Sequence, residues 1–390
     1  MGDISDSSRR SFLRAGAVGV GVMAVATPAA QAAVGGSHVF RVGDFGAVGD
    51  GQADDTAAIQ RAIDAAYQFA SDGNGYARVE FESRTYRLAS PPARPIPGQF
   101  HTAGQLVIPR RTSGPLVSLE LAGAGAQTGL QFGYHEPQAP AGTLLKSTVT
   151  TTWSGHAEGQ PPAVLAAPRG ESETWGGFNR VCVAITNLAV QVPSNPTLSG
   201  LNLFWTPQVR LQGVRISTPE PLPAMVEPTH NWSTGVVLPG GDNNAVIYVR
   251  DVHVGGFHTG VIFSEHTDAS SLLIFACKVG LAPLGRILHT SRFGLVTIEL
   301  CPTLISQVDW EQGRIAAPQG DSFRIDLLDV EEFNGFDNRL AWTRHDVHVY
   351  DPNNKFRGWI WMARSGRDYL GIPLTRVGGQ RLQIHEIQDT

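Results

Sequence analysis

The sequence is short of charge, of cysteine and of any long basic run. Only 17% of its 390 residues are charged, and the formal net charge is −5. A phosphate backbone is bound through clustered Lys and Arg, so nucleic acid is excluded as the expected partner. There are three cysteines, Cys182, Cys277 and Cys301. None is close to another in sequence, so neither a zinc spacing nor a disulfide framework is signalled. Their expected role is that of small buried apolar side chains. What is present is apolar and turn-forming. Hydrophobic residues make up 42%, with Gly 44 and Pro 25. That balance fits a globular protein of many turns and short strands better than a helical bundle.

The first 32 residues differ in kind from the rest. Ser8-Arg9-Arg10-Ser11-Phe12-Leu13-Arg14 resembles the twin-arginine export motif. The stretch Ala15 to Thr27 is too short and too rich in Gly and Ala for a membrane span, and Ala30-Gln31-Ala32 has the form of an A-x-A cleavage site. The expectation is a signal peptide over 1–32 and a secreted or periplasmic protein that folds before export. No membrane association is expected once the segment is removed. Its loss removes three Arg and two Asp and takes the net charge from −5 to −6. Folding in a reducing compartment accords with the lack of a disulfide framework.

The next stretch reads Phe40-Arg41-Val42-Gly43-Asp44-Phe45-Gly46-Ala47-Val48-Gly49-Asp50-Gly51-Gln52-Ala53-Asp54-Asp55-Thr56. It describes a short strand, Gly- and Asp-rich turns and a helix start that Asp54 or Asp55 can cap. Ala58, Ile59, Ala62, Ile63, Ala66 and Phe69 recur at helical spacing, predicting a helix over 56–70 with one apolar face. Asp72-Gly73-Asn74-Gly75 ends it, and Val79, Phe81, Tyr86 and Leu88 then alternate as in strands. Over residues 39–88 this D-F-G-A-x-G-D-G-x-x-D-D-T-x-A-I-Q pattern, with its V-x-F and T-Y-x-L pair, resembles the N-terminal segment of the pectate-lyase-like β-helix superfamily. The resemblance implies a right-handed parallel β-helix with a helix plugging its open end. It points only in general terms to activity on a polysaccharide. Asp54 and Asp55, though adjacent, read as cap and turn residues.

A repeat supports the same fold without the resemblance. The pattern apolar-x-apolar-x-x-apolar-x-apolar fits Val183/Ile185/Leu188/Val190, Val209/Leu211/Val214/Ile216 and Ile247/Val249/Val252/Val254. It then fits Leu272/Ile274/Cys277/Val279, Val296/Ile298/Cys301/Thr303 and Phe323/Ile325/Leu328/Val330. Starts are spaced by 24–27 residues except for one gap of 38, which holds a Pro-rich loop. Gly200-Leu201, Gly235-Val236, Gly260-Val261 and Gly285-Arg286 keep step with it. A fixed period of this kind marks a solenoid, with each coil burying its inward residues against its neighbours. The expected organisation is a signal peptide over 1–32, an all-β parallel β-helix with its helical cap over 38–336, and a C-terminal capping segment over 337–390. The last segment is alternatively a trimer contact, so monomer and homotrimer both stand as expectations.

In a solenoid the inward positions are core, and function falls to outward positions and loops. The repeat frame places Tyr248, Arg250, Asp251 and His253 outward on one coil, Lys278 and Glu299 on the next two, and Asp326 further on. As candidates for catalysis we take Asp251, His253, Lys278 and Glu299. For substrate binding we take Tyr248, Arg250, His258, Trp310 and Asp326. A second catalytic candidate is Val308-Asp309-Trp310-Glu311, where strand alternation puts Asp309 and Glu311 on one side. Paired carboxylates with pKa values pushed apart serve glycoside hydrolysis, and imidazoles serve as bases. Phe204, Trp205, Trp232 and Trp310 are candidates for stacking on sugar rings. No cofactor or metal set is assigned; calcium is the one ion left open, since it needs converging oxygens that spacing does not show. The N-x-D, D-D, G-H-G and R-x-K series of polygalacturonase-like hydrolases is absent, so no catalytic residue is carried over from them. The expected function is an exported enzyme cleaving a polysaccharide, as hydrolase or lyase. A non-catalytic carbohydrate-binding or cell-surface module and a polysaccharide epimerase are the alternatives.

Overall fold

The computed structural model divides the chain into two units, Met1–Ser37 and His38–Thr390. The described residues all belong to the second. They are 38–92, 103–125, 142–151, 162–168, 179–193, 197–218, 233–240, 246–264, 266–283, 291–299, 301, 303–305, 307–309, 314–316 and 323–331. From 303 onward only backbone pairing is described. The expected segments 1–32 and 337–390 lie outside these residues.

Among the described residues, a 13-stranded and a 7-stranded sheet account for the chain's successive turns. Every neighbouring pair in them is parallel, and each strand pairs with its counterpart one turn later. Val236 lies opposite Val261, and Val261 opposite Leu281. This is the expected parallel β-helix. In the N-terminal turns the larger sheet consists of two separate columns. One runs through Val39–Arg41, Tyr76–Glu80, Val117–Ala122 and Val181–Thr186, the other through Asp50–Asp54, Thr85–Leu88, Leu144–Ser147 and Ala189–Gln191. Both columns join Val209–Ser217, and from there single nine-residue strands continue through Ile247–Gly255, Thr267–Phe275, Ser291–Glu299 and Phe323–Glu331.

The two-residue interruption in the sequence pattern is a corner inside these long strands. Gly213 and Asp251 stand opposite each other between the pairs Gln212–Arg250 and Val214–Val252. Their φ values are 63° and 49°, and Asn187 in the preceding coil has 53°. Left-handed backbone favours Gly, Asn and Asp, the three residues found here. Val209, Leu211, Val214 and Ile216 on either side of the corner are all within 1% of complete burial. Burying such side chains stabilises by about 1.5–3 kcal/mol each.

The helix α1, Thr56–Phe69, covers one end of this core with Ile59, Ala62, Ile63 and Ala66, each fully buried. It also satisfies an exposed strand. The Gln60 amide donates to Val107 O at 2.9 Å and accepts Val107 N–H at 2.8 Å, covering Gly104–Val107 at the edge of the smaller sheet, where unpaired backbone would otherwise invite association. Asp54 Oδ1 accepts the Thr56 N–H, while Asp55 accepts the N–H groups of Val48 and Gly49. Both are cap and turn residues, as the sequence pattern predicts. Asn74 Nδ2 donates to Phe69 O, and Gly75 adopts φ 72° at the far end of the helix.

The repeat frame needs one correction. Thr267, Ala269, Leu272 and Ile274 lie opposite Ile247, Val249, Val252 and Val254. In the next coil the equivalent places belong to Phe293, Val296 and Ile298, with Ser291 as the first residue of the strand. The sequence frame for these two coils is therefore displaced by five residues. Thr267 and Ser291 fill buried positions with polar side chains, which a hydrophobic pattern passes over. The glycine series is corrected in the same way: Gly280, between the pairs Thr259–Val279 and Val261–Leu281, follows Gly260. Gly285 and Arg286 lie outside the described residues. The three cysteines are free and buried, as expected.

Candidate functional site

Rows of outward residues form where coils stack at about 4.8 Å. Arg210, Tyr248, Asp268 and Arg292 make one row, with Tyr248 half-buried and the others exposed. Gln212 and Arg250 make a second, and both are exposed. Pairing of Phe293 with Ile325 and Leu295 with Leu327 puts Asp326 in that second row, further along the solenoid. Beyond the corner, Arg215, His253, Leu273 and Thr297 share a third row.

The corner joins three of these side chains into a cluster. Arg215 Nη1 donates to the backbone oxygen of Asp251 at 2.9 Å, and Nη2 to its Oδ1 at 3.1 Å. This fork, reaching from one coil to the next, holds Asp251 in its left-handed conformation by both main chain and side chain. The side chain of Arg215 is only 16% exposed, that of Asp251 57%. His253 Nε2 lies 3.5 Å from the same Oδ1. Burial is the main force on the imidazole and lowers its pKa. The Arg215 guanidinium lowers it further, and Asp251 opposes both without reversing them, leaving His253 at about 4. At neutral pH the ring is therefore unprotonated and half-buried, a state in which it can accept a proton.

The other candidates are distributed elsewhere. His258 and Lys278 precede Thr259 and Val279, which pair in the smaller sheet. His258 is buried; its Nδ1 lies 3.1 Å from Thr259 Oγ1, and its N–H donates to Ser233 Oγ. Burial first and Lys278 second lower its pKa to about 4. Lys278 is half-buried, and its N–H donates to Phe257 O. Glu299 lies opposite Phe275, which in turn lies opposite Gly255. The expected face joining Asp251 and His253 to Lys278 and Glu299 is thus corrected. The five-residue displacement moves Lys278 to the margin of the smaller sheet, and the row of His253 continues through Leu273 and Thr297. Asp309 pairs with Arg314 in a small antiparallel ribbon, Gln307–Asp309 with Arg314–Ala316, not in a coil strand. Trp310, Glu311 and Trp232 lie outside the described residues.

Phe204 and Trp205 meet edge to face with centroids 4.7 Å apart. Phe204 also packs on a small apolar cluster of Val237, Ile262, Val279 and Ala282. Gly240 lies against its ring so closely that a Cβ there would come within 1.8 Å. The ring is engaged by the chain itself. Among the described residues no three His, Cys, Asp or Glu side chains are grouped to hold a metal ion, and no helix is long and apolar enough to cross a membrane. What sequence reasoning missed is the Arg215–Asp251 fork. Its one legible sign was an aspartate in the two-residue interruption, in step with the glycine of the preceding copy.

Residues 39–86 match the family model for rhamnogalacturonase A/epimerase, pectate lyase-like. The match spans the first strand, α1 and the Thr85–Leu88 strand except its last two residues, and supports the pectate-lyase-like resemblance of that segment. A search of curated proteins finds no match. Among solved structures, the chain is similar to a mannuronan C-5 epimerase A-module of Azotobacter vinelandii, at 15% identity and TM-score 0.34, covering 90% of this chain and 98% of that one. It is similar to a family 28 exopolygalacturonase of Yersinia enterocolitica, at 12% identity and TM-score 0.38, covering 84% and 70%. The Geobacillus virus E2 protein ORF18 gives 15% identity and TM-score 0.31; 84% of this chain is covered, but only 57% of the viral one. Likenesses this loose say nothing about activity.

Proposed function

We propose that the protein is an exported carbohydrate-active enzyme that processes a polysaccharide on the outward face of its β-helix, with His253 as the proton acceptor. The observation that carries this reading is the half-buried imidazole at the corner, 3.5 Å from Asp251 Oδ1 and beside the Arg215–Asp251 fork. Tyr248 and Arg250 lie on the same strand, before the corner, as groups to hold substrate. The step proposed for it is removal of a proton from the carbon beside a uronate carboxyl. In elimination the electron pair left behind forms a carbon–carbon double bond, and the glycosidic oxygen departs and takes up a proton. In epimerisation a proton returns to the opposite face instead, and the chain stays whole. A hydrolase would use a carboxylate pair, for which Asp309 and Glu311 are the proposed residues; Lys278, Glu299, Asp326 and the buried His258 are further proposals for the machinery. The twin-arginine segment supports export, and calcium stays a proposal without a described ligand set.

The test is the purified protein on a panel of acidic and neutral polysaccharides, followed together for new reducing ends and for absorbance of an unsaturated product. Both signals together support elimination with His253 as base. Reducing ends alone turn the assignment to hydrolysis and to Asp309 and Glu311. A changed sugar configuration without chain shortening identifies an epimerase. The second reading, a non-catalytic carbohydrate-binding module, is favoured by the structural part that the fork plays at the corner, and binding with no product would establish it.

A further inference from the structure

Cys277 and Cys301 occupy the same place in consecutive coils. Each follows the end of a bent strand by two residues, and those strands are in register through Phe275 and Glu299. Their side chains behave alike. Cys277 Sγ donates to Phe275 O at 3.4 Å, and Cys301 Sγ to Glu299 O at 3.3 Å. The backbone N–H of Cys277 donates to Cys301 Sγ at 3.3 Å, which brings the second sulfur against the first residue. Stacked coils lie about 4.8 Å apart, inside the roughly 4.4–6.8 Å between Cα atoms that a disulfide spans. Cys182 is elsewhere, in a strand where it faces Ser118 in the neighbouring coil.

We infer that Cys277 and Cys301 form a disulfide under oxidising conditions, a covalent staple between two coils whose cysteines are 24 residues apart. The reaction is exchange with a low-molecular-weight disulfide such as oxidised glutathione. One protein thiol, losing its proton, attacks a glutathione sulfur and expels the first glutathione thiolate. The second cysteine, losing its proton, then displaces the other glutathione and closes the bond. The protein gives up two electrons and two protons, and one glutathione disulfide becomes two thiols. The geometry lies ready in the reduced fold, so a chain folded before export can be stapled after it. Cys301 is 7% exposed and Cys277 1%, and burial pushes the Cys301 thiol well above its ordinary value. Exchange therefore proceeds through local opening of these coils and is slow in the closed fold. The inference is independent of the proposed catalytic function.

The experiment uses the full chain, purified reduced, then equilibrated with oxidised glutathione in urea below its unfolding midpoint and returned to buffer. Alkylation and mass spectrometry count free thiols, and peptide mapping without reductant identifies the link. The expected result is a fall from three free thiols to one, a peptide joining Cys277 to Cys301, and Cys182 still alkylated. The melting temperature of the stapled form rises by about 5 °C and returns on reduction; Cys277→Ser and Cys301→Ser show no such rise. Three thiols remaining free, retained glutathione adducts, a link through Cys182, or a linked form that melts no higher would each overturn the inference.

Discussion

Replacing Gly235 by alanine tests the close stacking of the coils. A Cβ at this position would sit 2.1 Å from Val254 Cγ1 and 2.8 Å from the backbone oxygen of Gly260. The valine can shift, but the carbonyl belongs to the strand pairing between Thr234–Val237 and Thr259–Phe263 and cannot retreat without loosening it. Gly200 and Gly260 are held in the same way, against Ile216 and Ile274 and against the carbonyls of Gly235 and Gly280. Overpacking a close-packed interior costs about 1–3 kcal/mol, and a backbone obstacle puts Gly235→Ala at the upper end. In a protein of this size that corresponds to a fall of roughly 3–4 °C in melting temperature. Gly43→Ala is the control, because nothing lies within 4 Å of a Cβ there and its φ is not positive. That change is expected to be neutral or stabilising by up to about 1 kcal/mol. Differential scanning calorimetry on both variants reads the contrast directly. A Gly235→Ala protein that melts with the parent would refute the reasoning that the glycine series is set by contact between coils.

Three further outcomes are expected from the electrostatics. Burial alone would raise the Asp54 carboxyl, but hydrogen bonds from Thr56, Ala89 and Ser90 outweigh it and hold the group at about 2, against an ordinary 3.8. A depressed carboxyl stabilises fully above its unfolded value and loses that contribution as pH falls through its folded one. Asp54→Asn is thus expected to lower the urea midpoint at neutral pH, with the gap to the parent closing between about pH 4 and pH 2. For His253 the unfolded chain takes up its proton first, near the ordinary 6.5, and the folded chain only at about 4, so stability falls as pH drops across that interval. His253→Gln should flatten this part of the stability curve while His258 retains its share. Arg215→Met removes the positive charge that helps hold the imidazole down, and NMR titration of His253 should then give a pKa above that of the parent.

Much of the fold was legible because its inward residues are apolar and strictly placed. Val209, Leu211, Val214 and Ile216 reveal a strand, a corner and a second strand from hydrophobicity alone, and the outward places of Tyr248, Arg250 and His253 follow by alternation. The frame slipped where Thr267, Ala269 and Ser291 took inward or buried places. A polar side chain satisfied inside a coil has no hydrophobic signature, so the next apolar run, Leu272 and Ile274, reads as the start of a copy. That single slip displaced Lys278 and Glu299 from their rows. The Arg215–Asp251 fork was hidden for a different reason. It joins residues 36 apart across a coil containing the Pro-rich loop, and only the register between coils shows that they meet. The cysteine pair was hidden likewise: the sequence shows two separated thiols, while stacking makes them neighbours.

The most direct test of the proposed function compares the parent protein with His253→Gln on whichever polysaccharide the panel shows to be processed, across a pH series. With His253 as the proton acceptor, the variant retains its fold by circular dichroism and binds the polymer, but its kcat falls by about 100-fold or more. The parent's kcat then declines on the acid side as the imidazole becomes protonated. A His253→Gln protein that turns over at the parent's rate with the same pH profile would contradict the assignment and leave the corner cluster as a structural device alone.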